Sequence, residues 1–193
     1  MILIDDQIQE YTPEEIARWT DELPEWRRKQ VLAYKNDMGR RQSLLAYRLL
    51  CQGLREEYGI MEQPTFVYNE HGKPSLALPP TGGDGEGLYF SLSHCKEGVC
   101  CAISDRPVGI DIESASRKIS DSVIRYSMNE GEQALIRESD DPQRTFLRLW
   151  TQKEAVLKRL GTGIRDDMRD ILSDHAYTIE VRENERYILS VAW

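Results

Sequence analysis

The sequence has no apolar run approaching the ~18 residues of a membrane-spanning helix, so no helical membrane segment is expected. It has no basic excess either. The net charge is −8 and the pI about 5.0, whereas nucleic-acid binders are usually basic, so neither a membrane nor a nucleic acid is expected as a partner. The four cysteines, Cys51, Cys95, Cys100 and Cys101, form no C-x-x-C pair and no zinc spacing. They read as reduced core thiols. The stretch from Met1 to Asp6 lacks the basic region and the length of a signal peptide. The expected location is therefore the cytoplasm. No internal repeat is visible. What is present is a chain of 193 residues, 40% hydrophobic and 30% charged. That is enough for one sizeable domain or two smaller halves sharing a core.

The most informative stretch is Val108-Gly109-Ile110-Asp111-Ile112-Glu113. Its strict alternation puts Val108, Ile110 and Ile112 on one face of a strand and Gly109, Asp111 and Glu113 on the other. Two carboxylates about 7 Å apart (two residues at roughly 3.3 Å rise) raise each other's pKa unless a positive charge or solvent intervenes. Gly109 leaves room for a ligand to approach the backbone. The stretch fits a site for a hard cation such as Mg2+, which takes one or two carboxylates with phosphate oxygens and water. It fits equally a strand with one solvated acidic face.

Elsewhere, residues 1–4 read as a strand. Thr12-Pro13-Glu14-Glu15 reads as a capping box that starts a helix reaching about Leu23, and Pro24 starts a second. Asp37 to Tyr58 reads as a long helix with Leu44, Leu45, Leu49 and Leu54 on its apolar stripe and Gly59 past its end. From Arg27 to Arg48 the charge is locally basic, either a solvated face or a phosphate-holding one. Strands are expected at Thr65–Tyr68, Leu88–Ser93 and Val99–Ser104, with a Pro- and Gly-rich loop over Pro79–Gly87. A helical pattern begins near Ile119. Asn129 or Ser127 caps the segment Glu130–Arg137. Asp141-Pro142 starts a helix running to about Leu160, with Gly161 beyond it. Residues 176–182 and 186–192 form a closing hairpin. Irregular alternation with hairpin-like pairs reads as α+β with antiparallel sheets, and its natural division falls near Arg106.

The helix from Pro142 carries Phe146, Leu149, Trp150, Leu157 and Leu160 on its apolar stripe. Glu154 sits on or beside that face, where an unpaired carboxylate is expensive. Lys158, four residues on, is one partner; a metal shared with Asp111 and Glu113 is the other. Lys153 is adjacent and within reach of a phosphate.

Val108 to Glu113, followed about forty residues later by Trp150-Thr151-Gln152-Lys153-Glu154-Ala155-Val156-Leu157-Lys158, resembles the paired signature of the 4'-phosphopantetheinyl transferases. Phe90-Ser91-Leu92-Ser93-His94-Cys95 looks like that family's Ser-His motif, and Gly72-Lys73-Pro74 looks like its Gly-Lys-Pro turn. The resemblance covers roughly residues 24–163, and the length suits the larger Sfp type. Three positions depart from the pattern: Ser91 stands where asparagine is common, Cys95 where serine is, and Trp26 where some members have a second lysine.

The resemblance implies two similar α+β halves, a pseudo-dimer of residues 1–106 and 107–193. Each is an antiparallel sheet packed with a long helix, and the active site lies in the cleft between them. It implies Mg2+-dependent transfer of the phosphopantetheine arm of coenzyme A to a serine of an apo acyl or peptidyl carrier protein, leaving 3',5'-ADP, by a monomer. By position, Asp111, Glu113 and Glu154 would hold the metal. Glu154 or a metal-bound water would take the serine proton, and Lys158 would stabilise the leaving phosphate. Lys73, Ser93 and His94 would contact coenzyme A, with Lys29 and Arg41 on its 3'-phosphate side. The segment Ile119–Met128, with Lys118, Ile124, Arg125 and Met128, is the candidate docking surface for the carrier. Two alternatives stand beside this one. A non-catalytic module binding coenzyme A or a carrier would have no need of three carboxylates. Another Mg2+-dependent phosphoryl-transfer enzyme would leave Ser93-His94 and Gly72-Lys73-Pro74 unexplained.

Overall fold

The capping residues set the helix boundaries. Thr12 accepts the Glu15 amide while Glu15 accepts the Thr12 amide, closing the capping box at the start of α1, Pro13–Asp21. Asn129 and Glu132 do the same for a later helix. The long helix matches its expected span, Asp37–Tyr58, and ends on Gly59 at φ 66°, in the left-handed region where glycine is favoured. Asp141 caps Pro142–Leu160, which ends on Gly161 at φ 73°.

In this computed structural model, residues 1–77, 87–163, 168–173 and 176–193 are described. Of the expected Pro79–Gly87 loop only Gly87 is among them. The order is β1 Ile2–Asp5, α1, α2 Glu25–Leu32, α3 Asp37–Tyr58, β2 Phe66–Tyr68, β3 Pro74–Leu76, β4 Tyr89–His94, β5 Val99–Ser104, β6 Gly109–Ser114, α4 Asp121–Ser127, α5 Glu130–Glu138, α6 Pro142–Leu160, β7 Ile179–Glu183 and β8 Tyr187–Ala192. All strand pairs are antiparallel. Two sheets have three strands, in the orders β1-β5-β4 and β6-β8-β7, and β2-β3 is a separate hairpin. The expected mixture of helices and antiparallel sheets is borne out.

Alternation along the two central strands builds the core. On β5, Val99, Cys101 and Ile103 pack on Leu45, Leu49, Leu50 and Leu54 of α3. Cys100 and Ala102 face the other way, onto Ile110 and Ile112 of β6 and Leu189 and Val191 of β8. On β8, Ile188 and Ala192 turn to α6, meeting Phe146 and Leu147, and Ala155 and Val156. The layers therefore run α3, first sheet, second sheet, α6. Each fully buried leucine or isoleucine here contributes about 1.5–3 kcal/mol, more than a typical cap. Leu160, expected on the apolar stripe, is instead exposed at the end of α6.

The two sheets also meet edge to edge through side chains. The Ile110 amide donates to Ser91 Oγ (3.1 Å) and the Ile112 amide to Ser93 Oγ (3.4 Å). The departure at Ser91 thus supplies a short acceptor where β4 approaches β6.

Candidate active site

Gly109 brings the site's two main elements together. A Cβ at this position would overlap the Ala155 carbonyl oxygen and the Arg159 amide nitrogen of α6. The space expected for a ligand is therefore filled by the helix backbone, and the glycine is there for close strand–helix packing. Two residues on, the same face of β6 places Asp111 against Lys158.

Asp111 is 5% exposed. Its Oδ1 accepts from Ser93 Oγ at 2.8 Å and from Lys158 Nζ at 2.7 Å. Lys158 Nζ also donates to Ser93 Oγ at 2.8 Å. The Ser93 hydroxyl gives its one hydrogen to Asp111 and receives Lys158 and the Ile112 amide, which uses its full capacity. Asp111 Oδ2 is buried and, among the described residues, has no hydrogen-bond partner, a costly condition for a carboxylate oxygen.

The neighbouring carboxylates feel the excess of negative charge. Burial, and then Asp111, push Glu113 up to about 7, against the pull of Arg117. Burial and Asp111 likewise raise Glu154, opposed by Lys158 and Arg117. Burial lowers the Lys158 pKa, but Asp111 outweighs it and the ammonium is held above its ordinary range. Glu113 is ion-paired to Arg117, whose guanidinium lies 5.0 Å over the Trp150 ring.

The expected metal trio is thus gathered in one region, but Asp111 is paired with Lys158 and Glu113 with Arg117. Among the described residues no three His, Cys, Asp or Glu side chains are set together as a closed metal cluster. The chemistry of the donors nevertheless fits a hard divalent cation: a buried carboxylate oxygen without a partner, and two further carboxylates whose pKa that same aspartate raises.

A cavity of about 340 Å³ opens beside this cluster, lined among others by Lys73, Ser91, Glu154 and Lys158. Lys73 Nζ donates to the Arg159 carbonyl at 3.0 Å, and burial together with Arg159 lowers its pKa. His94 ends β4; the packing around its ring and then Lys158 lower its pKa.

Other expected ligands point elsewhere. Lys153 is fully buried, donating to the carbonyls of Met168 (3.0 Å) and Arg169 (2.5 Å) and pairing with Glu132 at 2.8 Å. Next to Glu154 in sequence, it leaves the helix in a different direction, as successive helical residues do, so its expected reach to a phosphate is not what the structure displays. Lys29 pairs with Glu25 on its own helix, and Arg41 donates to the Ile8 and Tyr11 carbonyls. Trp26 packs edge-on to Phe66 and Tyr47. In the segment Ile119–Met128, Met128 is fully buried and Ile124 joins the core around it. Arg125, Tyr126 and Lys118 remain exposed.

Sequence reasoning missed Arg117: it lies four residues after Glu113, a spacing that signals a pair on a helix, but Glu113 is on a strand. It also missed the bridging roles of Ser91 and Ser93, whose signal was two small hydroxyl residues at a spacing of two on one strand.

Residues 107–191 match the family model described as the 4'-phosphopantetheinyl transferase superfamily. Among curated proteins, the chain is 34% identical over 128 residues to 4'-phosphopantetheinyl transferase psf-1 of Bacillus pumilus, covering 64% of this chain and 52% of that protein. It is 31% identical over 141 residues to 4'-phosphopantetheinyl transferase gsp of Aneurinibacillus migulanus, covering 72% and 56% respectively. With 4'-phosphopantetheinyl transferase Sfp of Bacillus subtilis (strain 168) the identity is 32% over 101 residues, 51% and 42% of the two chains. The chain spans about half the length of the curated relatives it matches. The stretch that holds the carboxylates, residues 107–191, belongs to the 4'-phosphopantetheinyl transferase superfamily.

Proposed function

We propose that this chain transfers the 4'-phosphopantetheine arm of coenzyme A to a serine of an apo acyl or peptidyl carrier protein, with Mg2+, releasing 3',5'-ADP. The observation that carries the reading is Asp111, held by Ser93 and Lys158 with one buried oxygen unpartnered, beside Glu113 and Glu154 in raised states. Asp111, Glu113 and Glu154 would hold Mg2+, which supplies neutralisation of the pyrophosphate charge.

The carrier serine oxygen bonds to the phosphorus that carries the pantetheine arm, and the bond from that phosphorus to the bridging oxygen of 3',5'-ADP breaks. Glu154 takes the serine proton; its raised pKa brings a carboxylate nearer the range useful for a base. Lys158, paired with Asp111 in the structure, would meet the charge that grows on the leaving phosphate. Lys73 holds a phosphate at the cavity wall, and His94, at the end of β4, holds another. The halves 1–106 and 107–193 are read as similar units, and the three-stranded sheet and long helix in each support this. The carrier docks on Lys118, Arg125 and Tyr126, and the protein works as a cytoplasmic monomer.

Intact-mass spectrometry of a panel of apo carrier proteins with coenzyme A, with and without Mg2+, tests the reading. The expected result is a gain of one phosphopantetheine arm that needs the metal. Coenzyme A binding with no mass gain on any carrier would replace the transferase by a non-catalytic binding module.

A further inference from the structure

The β2-β3 hairpin holds to the first sheet through Phe66 on Phe90, ring centroids 5.4 Å apart. Its tip, however, is fastened to the far end of α6, and Asn69 makes the fastening. Asn69 Oδ1 accepts the amides of His71 (3.0 Å) and Lys73 (2.8 Å), closing the turn from inside. Asn69 Nδ2 donates to the Gly161 carbonyl at 3.0 Å, across 92 residues of sequence. Lys73 reaches the Arg159 carbonyl beside it. Carbonyls at a helix C-terminus lack partners within the helix, so they are free to receive such donors. Gly161 leaves the room: a Cβ there would stand 2.7 Å from Lys73 Cδ and 3.3 Å from Asn69 Nδ2.

The cavity has the Gly72-Lys73-Pro74 turn on one wall and Glu154 and Lys158 of α6 on another. One carboxamide therefore joins the two walls. We propose that Asn69 is a positioning residue: it fixes the separation between the Gly72-Lys73-Pro74 turn and the Glu154–Lys158 face, and with it the place where the phosphates of coenzyme A rest. The inference rests on the transferase reading above. A carboxamide serves both ends because it is acceptor and donor at once. Serine at this position can keep the turn through its hydroxyl but is too short to reach Gly161.

The test compares Asn69→Ala and Asn69→Ser with the wild-type chain. Calorimetric binding of coenzyme A, steady-state kinetics and exchange of the Lys73 amide are the readouts. Both variants should raise Kd and KM for coenzyme A roughly tenfold, with the carrier KM unchanged. The Lys73 amide should exchange faster in the alanine variant and stay protected in the serine variant. Wild-type affinity for coenzyme A in Asn69→Ala, or full recovery of KM in Asn69→Ser, overturns the inference. So does an equal rise in both KM values, which would mark a general loss of structure. Failure of the unmutated chain to bind coenzyme A would instead strike the transferase reading itself.

Discussion

Lys158 and Asp111 are 47 residues apart in sequence and 2.7 Å apart in space. The ammonium covers one aspartate oxygen, and the other is left over. Asp111→Ala removes a proposed metal ligand and leaves Lys158 without its carboxylate. Transfer should fall by roughly 10²-fold or more, the scale of losing a main charge-stabilising group. Relief of repulsion on Glu113 and Glu154 offsets part of the stability lost with the ion pair, so the fold should persist. Activity across a Mg2+ titration, run beside thermal unfolding, checks both. Undiminished wild-type turnover in a chelator would remove the metal from the account.

Glu113 offers a pH signature. Its folded-state pKa of about 7 lies above the ordinary 4.5, so the folded protein holds this proton more tightly than the unfolded chain. Its contribution to stability is complete below about 4.5 and is lost as pH rises to about 7. The loss is on the order of 3 kcal/mol. Thermal unfolding in chelator should show it, Glu113→Gln should flatten the slope, and saturating Mg2+ should too, because the metal favours the ionised form. An identical slope in Glu113→Gln would assign the loss to another group.

Gly109→Ala drives a methyl into the Ala155 carbonyl and the Arg159 amide, both of them backbone. Neither can move aside as a side chain would, so the cost should exceed the usual 1–3 kcal/mol of overpacking. The expected outcome is a large fall in Tm or an insoluble product. A well-folded Gly109→Ala protein with wild-type Tm would contradict the contact between β6 and α6.

Lys153 separates structure from ligand binding. Lys153→Ala strands Glu132 and the carbonyls of Met168 and Arg169, and should cost about 3–5 kcal/mol as broken buried pairs do. The affinity for coenzyme A of the protein that remains folded should not change. A tighter dependence of affinity than of Tm on this residue would restore its phosphate role.

How much of this was legible follows the range of each signal. Thr12, Asn129, Asp141, Gly59 and Gly161 act within a few residues, and the helix ends they imply are where they should be. The period of two on β6 put Ile110 and Ile112 on one face and Asp111 on the other, and that division holds: the isoleucines are in the core and Asp111 meets Lys158 of α6. What the spacing did not show is which helix face meets the strand. Lys153 and Glu154 are adjacent in sequence, yet one is sealed behind α6 and the other lines the cavity. Nor did composition reveal that Gly109 serves a backbone contact rather than a ligand. The first depends on Glu132, Met168 and Arg169, outside the helix that carries Lys153, and the second on Ala155 and Arg159, more than forty positions from Gly109.

Asp111 lies on β6, and among the described strands β6 finds its sheet neighbour in β8, with Asp111 opposite Ser190. The first sheet closes when Ser104 has been made, since β1 pairs with β5. During synthesis the N-terminal part can therefore assemble early, while the carboxylate strand waits with an open edge for almost eighty further residues. A nascent chain on the ribosome has the turn of Lys73 before it has the carbonyls of Arg159 and Gly161 that anchor that turn. The second sheet is complete only with the arrival of Tyr187–Ala192.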